Sequence, residues 1–336
     1  MDWFFESIRR EHQAGMGYIE KATKDLYGYL PGLTKKEDFE AFWELTLNQA
    51  KKVPLQPQRT EIDYPSRHVG VYDIAYNGMD ETSIRGWLIV PHFLKKESYP
   101  CLIHYHGFSG SRGEPSDHMH WAMMGLAVLS VDCRDQGGPT GNSASYTHGF
   151  VGNVAVKGVH DKMEYYYRYA YMDCLKAIDF ACAQAEIDPT RIVIEGVSQG
   201  GALGMAVSAL DDRPAAVLVD VPSNSNLEAR VEGCHGAFGG VTEYLKRHPE
   251  QTDLVLDNLS YFDTMNMADR IHCPVLASVA LKDEVCPPQM YFATYNRIRT
   301  EKEMNIYPFN GHEGGGSRQT EAKLAYLQRK FPGWFA

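Results

Sequence analysis

The 336-residue sequence has no apolar run long enough to cross a bilayer. Its first ten residues, M-D-W-F-F-E-S-I-R-R, lack an extended apolar stretch, so no signal peptide is expected. Positive charge is in deficit. Lys plus Arg number 33 against 43 Asp plus Glu, a formal net charge of −10. That balance argues against nucleic acid or an anionic membrane as partner. Cysteine is sparse: seven residues, an odd number, scattered and without a C-x-x-C. The pattern reads as reduced, buried thiols in a cytoplasmic protein rather than a disulfide framework. There is no internal repeat and no low-complexity tract, so no repeat architecture is expected.

What is present suits a globular enzyme-sized chain. Hydrophobic residues make up 44%, enough for a sizeable core in one large domain or two ordinary ones. Residues 1–57 read as an arm plus a helix, packing on the body or on a neighbouring subunit. The arm is rich in aromatics (Trp3, Phe4, Phe5, Tyr18, Tyr27, Tyr29). Thr34-Lys-Lys-Glu37 has capping-box spacing and predicts a helix from there to about Ala50, with Phe39, Phe42, Trp43 and Leu47 facing the core. A Pro- and Gln-containing linker spans Val53 to Pro57. From residue 58 onward the chain reads as one domain. Two alternating segments, His68 to Tyr76 and Thr82 to Val90, flank Asn77-Gly78, a hairpin signal. Strands then alternate with helices. The strands are Cys101 to Tyr105, Ala127 to Asp132, Arg191 to Glu195, Ala216 to Val221, Val275 to Leu281 and Asn305 to Tyr307. The main helices are Tyr165 to Ala185, the segment after Gly201, and Thr320 to Phe331. Such alternation predicts an α/β fold, a mostly parallel sheet with helices on both faces. The Gly-rich stretch Arg134 to Asp161 is long enough to be functional or to form an interface.

The organising stretch is Arg191 to Leu203, R-I-V-I-E-G-V-S-Q-G-G-A-L. A β-branched run leads into Gly196-x-Ser198-x-Gly200, and a helix-favouring run follows. This places Ser198 on a sharp strand-to-helix turn. The strained turn exposes its hydroxyl at a helix N-terminus, where the dipole favours a developing anion. The pentapeptide alone also fits an ordinary Gly-rich turn with a bystander serine, so partners are required. Downstream, one strand end carries Lys282-Asp283-Glu284 and another carries Gly311-His312-Glu313. The order Ser, acid, His is that of α/β-hydrolase triads. Ser198 is the candidate nucleophile, His312 the base and Asp283 the orienting acid. Glu284 and Glu313 are the competing acids. The oxyanion donors are assigned to the N–H of Gln199 and the N–H of Phe108, the latter in the loop His104-Tyr-His106-Gly107-Phe108. His104-x-His106 and His118-x-His120, with Asp117 and Asp132, invite a metal reading. No closed ligand set is evident, so these histidines are read as structural and no metal is expected.

These residues together resemble the acetyl xylan esterase and cephalosporin C deacetylase family, carbohydrate esterase family 7. The resemblance rests on Gly196-Val-Ser198-Gln199-Gly200, His312-Glu313, Asp283-Glu-Val-Cys-Pro287-Pro288, Tyr165-Tyr-Tyr-Arg168 and Leu259-Ser-Tyr-Phe-Asp263, and it runs from about Thr34 onward. It implies an α/β-hydrolase fold and a serine esterase that deacetylates small acetylated sugars and related acetate esters through an acyl-enzyme. It further implies no cofactor, a cytoplasmic location, and homo-oligomers, often hexamers whose sites face an inner cavity. The family's R-G-Q motif appears as Arg134-Asp135-Gln136, and Arg134 and Gln136 are expected to brace the loops around the site. Asp135 stands where Gly is expected, and Asn153 where an aromatic is expected, so the acyl or alcohol preference is open. Other readings are a short-chain carboxylesterase, lactonase or peptidase of the same fold, or a silent binding protein built on it.

Overall fold

The computed structural model of the chain describes residues 17–94, 96–149 and 152–335. Trp3, Phe4 and Phe5 lie outside the described residues.

Among the described residues, nine strands form one sheet, in the order β1-β2-β3-β5-β4-β6-β7-β8-β9. They are β1 Gln58–Glu61, β2 Val69–Asn77, β3 Ser83–Pro91, β4 Tyr99–Tyr105, β5 Ala127–Val131, β6 Ile187–Val197, β7 Pro214–Asp220, β8 Val275–Ala280 and β9 Lys302–Tyr307. The first three pair antiparallel, and β3 meets β5 antiparallel. From β5 through β9 every pairing is parallel. The expected mostly parallel α/β sheet is therefore present. The chain runs outward from β4 to β5, then returns to the other side of β4 as β6. The crevice beyond the C-terminal ends of β4 and β6 is thus a topological switch point, where such sheets bind ligands.

Period-two alternation on the central strands divides the core between two faces. Ile103, Leu129, Ile194 and Val217 face one side, with Trp43, Tyr171 and Phe262. Leu102, Val128, Val193 and Leu218 face the other, with Trp121, Tyr326 and Leu327. The helices supply the outer layers. Residues 17–27 form α1, followed by α2 Phe39–Lys52, α3 Met119–Met123, α4 Tyr166–Cys182, α5 Gln199–Leu210, α6 Leu227–Glu232, α7 Gly239–Leu245, α8 Thr252–Leu259, α9 Pro288–Tyr295 and α10 Gly316–Lys330. Helix α5 is buried almost throughout, because it sits over the middle of the sheet. No helix among the described residues is long and apolar enough to cross a membrane.

Two expectations are corrected, and one strand is additional to those expected. The helix expected from Thr34 begins at Phe39, with Asp38 at its N-cap. Thr34 is not its cap, because its hydroxyl accepts a hydrogen bond from Asn266 Nδ2 at 2.9 Å. Its apolar face behaves as expected: Phe39, Phe42 and Trp43 are buried against Tyr261 and Phe262. The hairpin is not closed by Asn77-Gly78 alone. Asn77 pairs with Ser83, leaving residues 78–82 as a wider loop. The loop is drawn inward because Asp80 binds Arg134, and a β-carbon on Gly78 would fall 2.3 Å from the Asp173 carboxylate. Strand β1 was not anticipated. It is a polar edge strand with no buried residue, anchored where Arg59 binds Glu186 at 2.8 Å and stacks on Tyr72.

Candidate active site

Ser198 follows β6 at φ 57°, ψ −114°, a backbone state disfavoured for a side-chain-bearing residue. Two packing contacts impose it. A β-carbon on Gly196 would lie 2.3 Å from the Gly200 carbonyl carbon, and one on Gly200 only 1.8 Å from the Tyr105 oxygen. The spacing of the two glycines is therefore steric. They let β6 turn into α5 directly against the end of β4. The turn is tied to β7 as well: Ser198 N–H donates to Asp220 O at 2.8 Å, and Ser223 N–H to Ser198 O at 3.0 Å.

The other two candidate side chains converge on it. Asp283 lies just past β8, and His312 lies in the loop between β9 and α10. His312 Nδ1 is 2.8 Å from Asp283 Oδ2, and His312 Nε2 is 3.0 Å from Ser198 Oγ. With an ionised Asp283 accepting, Nδ1 carries the proton and the Nε2 lone pair faces the serine hydroxyl. The second oxygen of Asp283 accepts from the amides of Val285 at 2.9 Å and Cys286 at 2.7 Å, which fixes the carboxylate. The competing acids point elsewhere. Glu313 accepts from Gly311 N–H at 3.0 Å, and Glu284 meets His235 only through its backbone carbonyl.

The two residues expected to supply the oxyanion donors line the same cavity. Phe108 occupies a turn closed by Gly110 N–H to Gly107 O at 3.0 Å, and Gln199 opens α5. One residue clamps both loops. Gln136 Oε1 accepts from Ser109 N–H at 2.7 Å, and the Gln136 and Gln199 side-chain amides bond each other in both directions, at 3.0 and 3.2 Å. Tyr166 and Tyr167 hydroxyls complete this polar cluster. Arg134, fully buried, makes two-pronged contacts to both Asp173 and Asp80 and a fifth bond to Asn142. Burial alone would lower its pKa, but the two carboxylates raise it instead. Asp135 adopts φ 57°, the left-handed region where glycine is favoured. Lys157 and Asn142 contact its carboxylate.

The histidines considered as metal ligands have other partners. His104 binds Glu195, His118 bonds Arg112 O at 2.9 Å, and His106 Nε2 accepts from Cys133 N–H at 2.8 Å. The His120 ring packs at a tilt against Trp121. Asp132 accepts from Arg112 N–H and Thr140, and Asp117 closes a turn onto Glu114 N–H. Below the serine turn runs a charged cluster that was not anticipated. Lys323 of α10 binds both Glu195 of β6 and Asp220 of β7. Burial would raise the Glu195 pKa, yet Lys323 and His104 hold it well below the usual carboxylate range.

Ser198 opens into a cavity of about 560 Å³, within the usual range for small-molecule sites. Phe108, Tyr167, Phe238 and Val285 give it apolar walls, and Asn153, Ser223 and Arg230 give it polar ones. Asn153 caps a short turn through Ala155 N–H and donates to Ala237 O at 2.9 Å. Ser223, Arg230 and Cys286 were missed in the sequence. Cys286 lay within the Asp283 motif and could have been found there, its sulfur 3.9 Å from Ser198 Oγ. Nothing in the local pattern marked Ser223 or Arg230.

The Acetyl xylan esterase (AXE1) family profile matches residues 16–330. The chain belongs to the acetyl xylan esterase family. It is therefore a carboxylic ester hydrolase, and its sheet with the strand-turn-helix serine is an α/β-hydrolase fold. An acetyl xylan esterase from Paenibacillus sp. R4 superposes with a TM-score of 0.88 at 38% identity, over 91% of this chain and 98% of that one. Acetyl xylan esterase 1 from Thermoanaerobacterium sp. JW/SL YS485 gives 0.83 at 28% identity, over 90% and 98%. The curated acetyl esterase Axe7A of Xylanibacter ruminicola is 28% identical over 90% of this chain and 68% of its own length.

Proposed function

We propose that the chain is a serine esterase that removes acetyl groups from small acetylated sugars or related acetate esters. The single observation that carries this reading is His312, within 2.8 Å of Asp283 and 3.0 Å of Ser198. Ser198 Oγ attacks the acyl carbon as His312 Nε2 takes its proton. The carbonyl oxygen becomes an oxyanion beside the amides of Gln199 and Phe108, neither of which has a hydrogen-bond partner among the described residues. Collapse expels the alcohol, which takes the proton back from His312, and Ser198 is left acetylated. A water then repeats the sequence, with His312 again as base, and releases acetate. Asp283 holds the imidazole in the required tautomer and stabilises its cation. Gln136 and Arg134 act behind the site, holding the loops that carry the two amides.

The cycle assigns no step to a metal or cofactor. Three further parts of the reading rest on the family resemblance: activity on cephalosporin-type acetate esters, a cytoplasmic location and a homo-oligomer. The last has some support in apolar side chains left at the surface, among them Tyr18, Leu30, Leu33 and Phe309.

The test is an acyl series on one alcohol. Catalytic efficiency should fall steeply from acetyl to butyryl, because Phe108, Tyr167 and Phe238 bound the cavity. A hydrophobic pocket alone discriminates by only about 1–3 kcal/mol per methylene, so steric closure must supply the rest. A kcat/KM for butyrate equal to or above that for acetate removes the deacetylase assignment and leaves the Ser198 mechanism standing.

A further inference from the structure

Among the described residues three arginines are buried, Arg134, Arg230 and Arg168, and the first two are the most enclosed, at 0% and 1% exposure. Their environments differ. Arg134 spends all five N–H donors, four of them on the carboxylates of Asp80 and Asp173. Arg230 donates to three backbone carbonyls, Ser225 O at 3.1 Å, Val285 O at 3.2 Å and Pro222 O at 3.3 Å, and also meets the Cys286 sulfur. A guanidinium has five donors, so at least one has no partner among the described residues. No carboxylate lies within ion-pair distance of it among the described residues. Asp263, which interacts with it electrostatically, has its oxygens taken by the amides of Asn226, Leu227 and Met265.

Arg230 is also well placed. It lines the same cavity as Ser198 and His312. It lies against the Cys286 thiol, whose sulfur is 3.9 Å from Ser198 Oγ. Its three carbonyl anchors hold it still: Pro222 and Ser225 follow β7, and Val285 sits in the Asp283 loop. A fixed, desolvated guanidinium is an expensive feature unless an anion completes it. Its planar fork matches a carboxylate better than any other common anion save phosphate. Ser223 and Asn153 add polar lining to the same cavity.

We propose that Arg230 reads a carboxylate carried by the substrate, so that the esters this site prefers are anionic. The proposal deepens the serine-esterase reading and rests on it. The carboxylate is on the same molecule as the scissile ester, in either its acyl or its alcohol half.

The experiment compares matched pairs. For the alcohol half, 4-acetoxybenzoate is set against 4-acetoxybenzamide. For the acyl half, the 4-nitrophenyl hemifumarate, whose trans geometry keeps its carboxylate from attacking its own ester, is set against its methyl ester. Each kcat/KM is divided by the spontaneous hydrolysis rate, which removes intrinsic reactivity. The parent chain should favour the carboxylate by about tenfold or more in one pair, the scale of a charge-assisted hydrogen bond. The pair that responds identifies the half. Arg230→Gln should abolish that ratio, and Arg230→Lys should keep part of it. The ratio is internal to each variant, so a general loss of activity does not mimic the result. No preference in either pair for the parent chain overturns the proposal, whatever the variants do. So does a preference that survives Arg230→Gln. Labelling of Ser198 by a fluorophosphonate separates the two readings. A labelled enzyme that cleaves the neutral esters without preferring the anionic ones loses only the Arg230 role. An unlabelled chain inert towards all four esters loses both.

Discussion

Gly200 approaches Tyr105 so closely that a β-carbon on it would sit 1.8 Å from the Tyr105 carbonyl oxygen. Tyr105 ends β4 and Gly200 lies in the first turn of α5, so the contact sets the separation of the two loops that carry the proposed oxyanion donors. A backbone oxygen at the end of a buried central strand cannot step aside. Gly200→Ala should therefore destabilise the fold by about 2–4 kcal/mol or prevent its accumulation, through overpacking and strain at a special backbone site. Urea denaturation of whatever soluble protein forms is the check. A cost below about 0.5 kcal/mol, the range of ordinary surface substitutions, means that β4 and α5 can separate, contrary to this account.

Ser198→Ala should leave the fold intact and remove almost all hydrolysis, on the order of 10⁶-fold as in other serine hydrolase triads. The methyl group fits where the hydroxyl was, and the backbone bonds to Asp220 and Ser223 do not involve the side chain. Circular dichroism and single-turnover assays on a chromogenic acetate ester read the two halves separately. Parent-like turnover by the folded variant would falsify the nucleophile assignment.

How far the site could be seen in advance depended on whether the chemistry was local. Gly196, Ser198 and Gly200 are neighbours in sequence, so the turn was legible from five residues. Asp283 and His312 were legible because a parallel sheet delivers strand ends to one edge, and chain order then restricts the choices. Gln136 entered only through its place in a motif. Its clamp on Ser109 and Gln199 depends on how the loop after β5 lies across the ends of β4 and β6. Arg230 was invisible because α6, which carries it, is placed by the preceding segment from Val221 to Asn226, which has no period and in which Val221, Asn224 and Asn226 have positive φ. Strand β1 was missed because Gln58–Glu61 has no apolar alternation to read. The helix start was misplaced because Thr34 bonds a distant Asn266 side chain rather than its own helix.

Arg134→Lys should be costly although it keeps the charge. Lysine cannot reproduce the two forks on Asp80 and Asp173, and Asp173 is fully enclosed. Burial already raises the Asp173 pKa even with Arg134 in place. A broken buried pair costs about 3–5 kcal/mol, and most of that should appear here. The loss should show as a lower urea midpoint with an unchanged m-value. A change under about 1 kcal/mol would show that the network is dispensable.

Stability should also fall in mild acid, with His118 as one identifiable source. Its ring is buried, bonds Arg112 O at 2.9 Å and lies 5.0 Å from the His104 ring. Burial lowers its pKa to about 4, and His104 pushes in the same direction. In the unfolded chain the same imidazole titrates near about 6.5. Between those two values the unfolded state binds more protons than the folded state. Stability must then decrease as pH falls from about 6.5 towards 4, and recover as pH rises through the same window. The contribution of this group has an upper bound of about 3 kcal/mol. His106, also near 4 through burial, adds a similar slope. His118→Gln keeps a donor for Arg112 O and removes the titration. The variant will be less stable at pH 7 from altered packing, but its unfolding free energy should depend less on pH between 6.5 and 4 than that of the parent chain. Urea titrations at half-unit pH intervals measure both curves. Parallel curves across that window would mean that His118 is protonated in the folded protein, which the enclosed ring argues against.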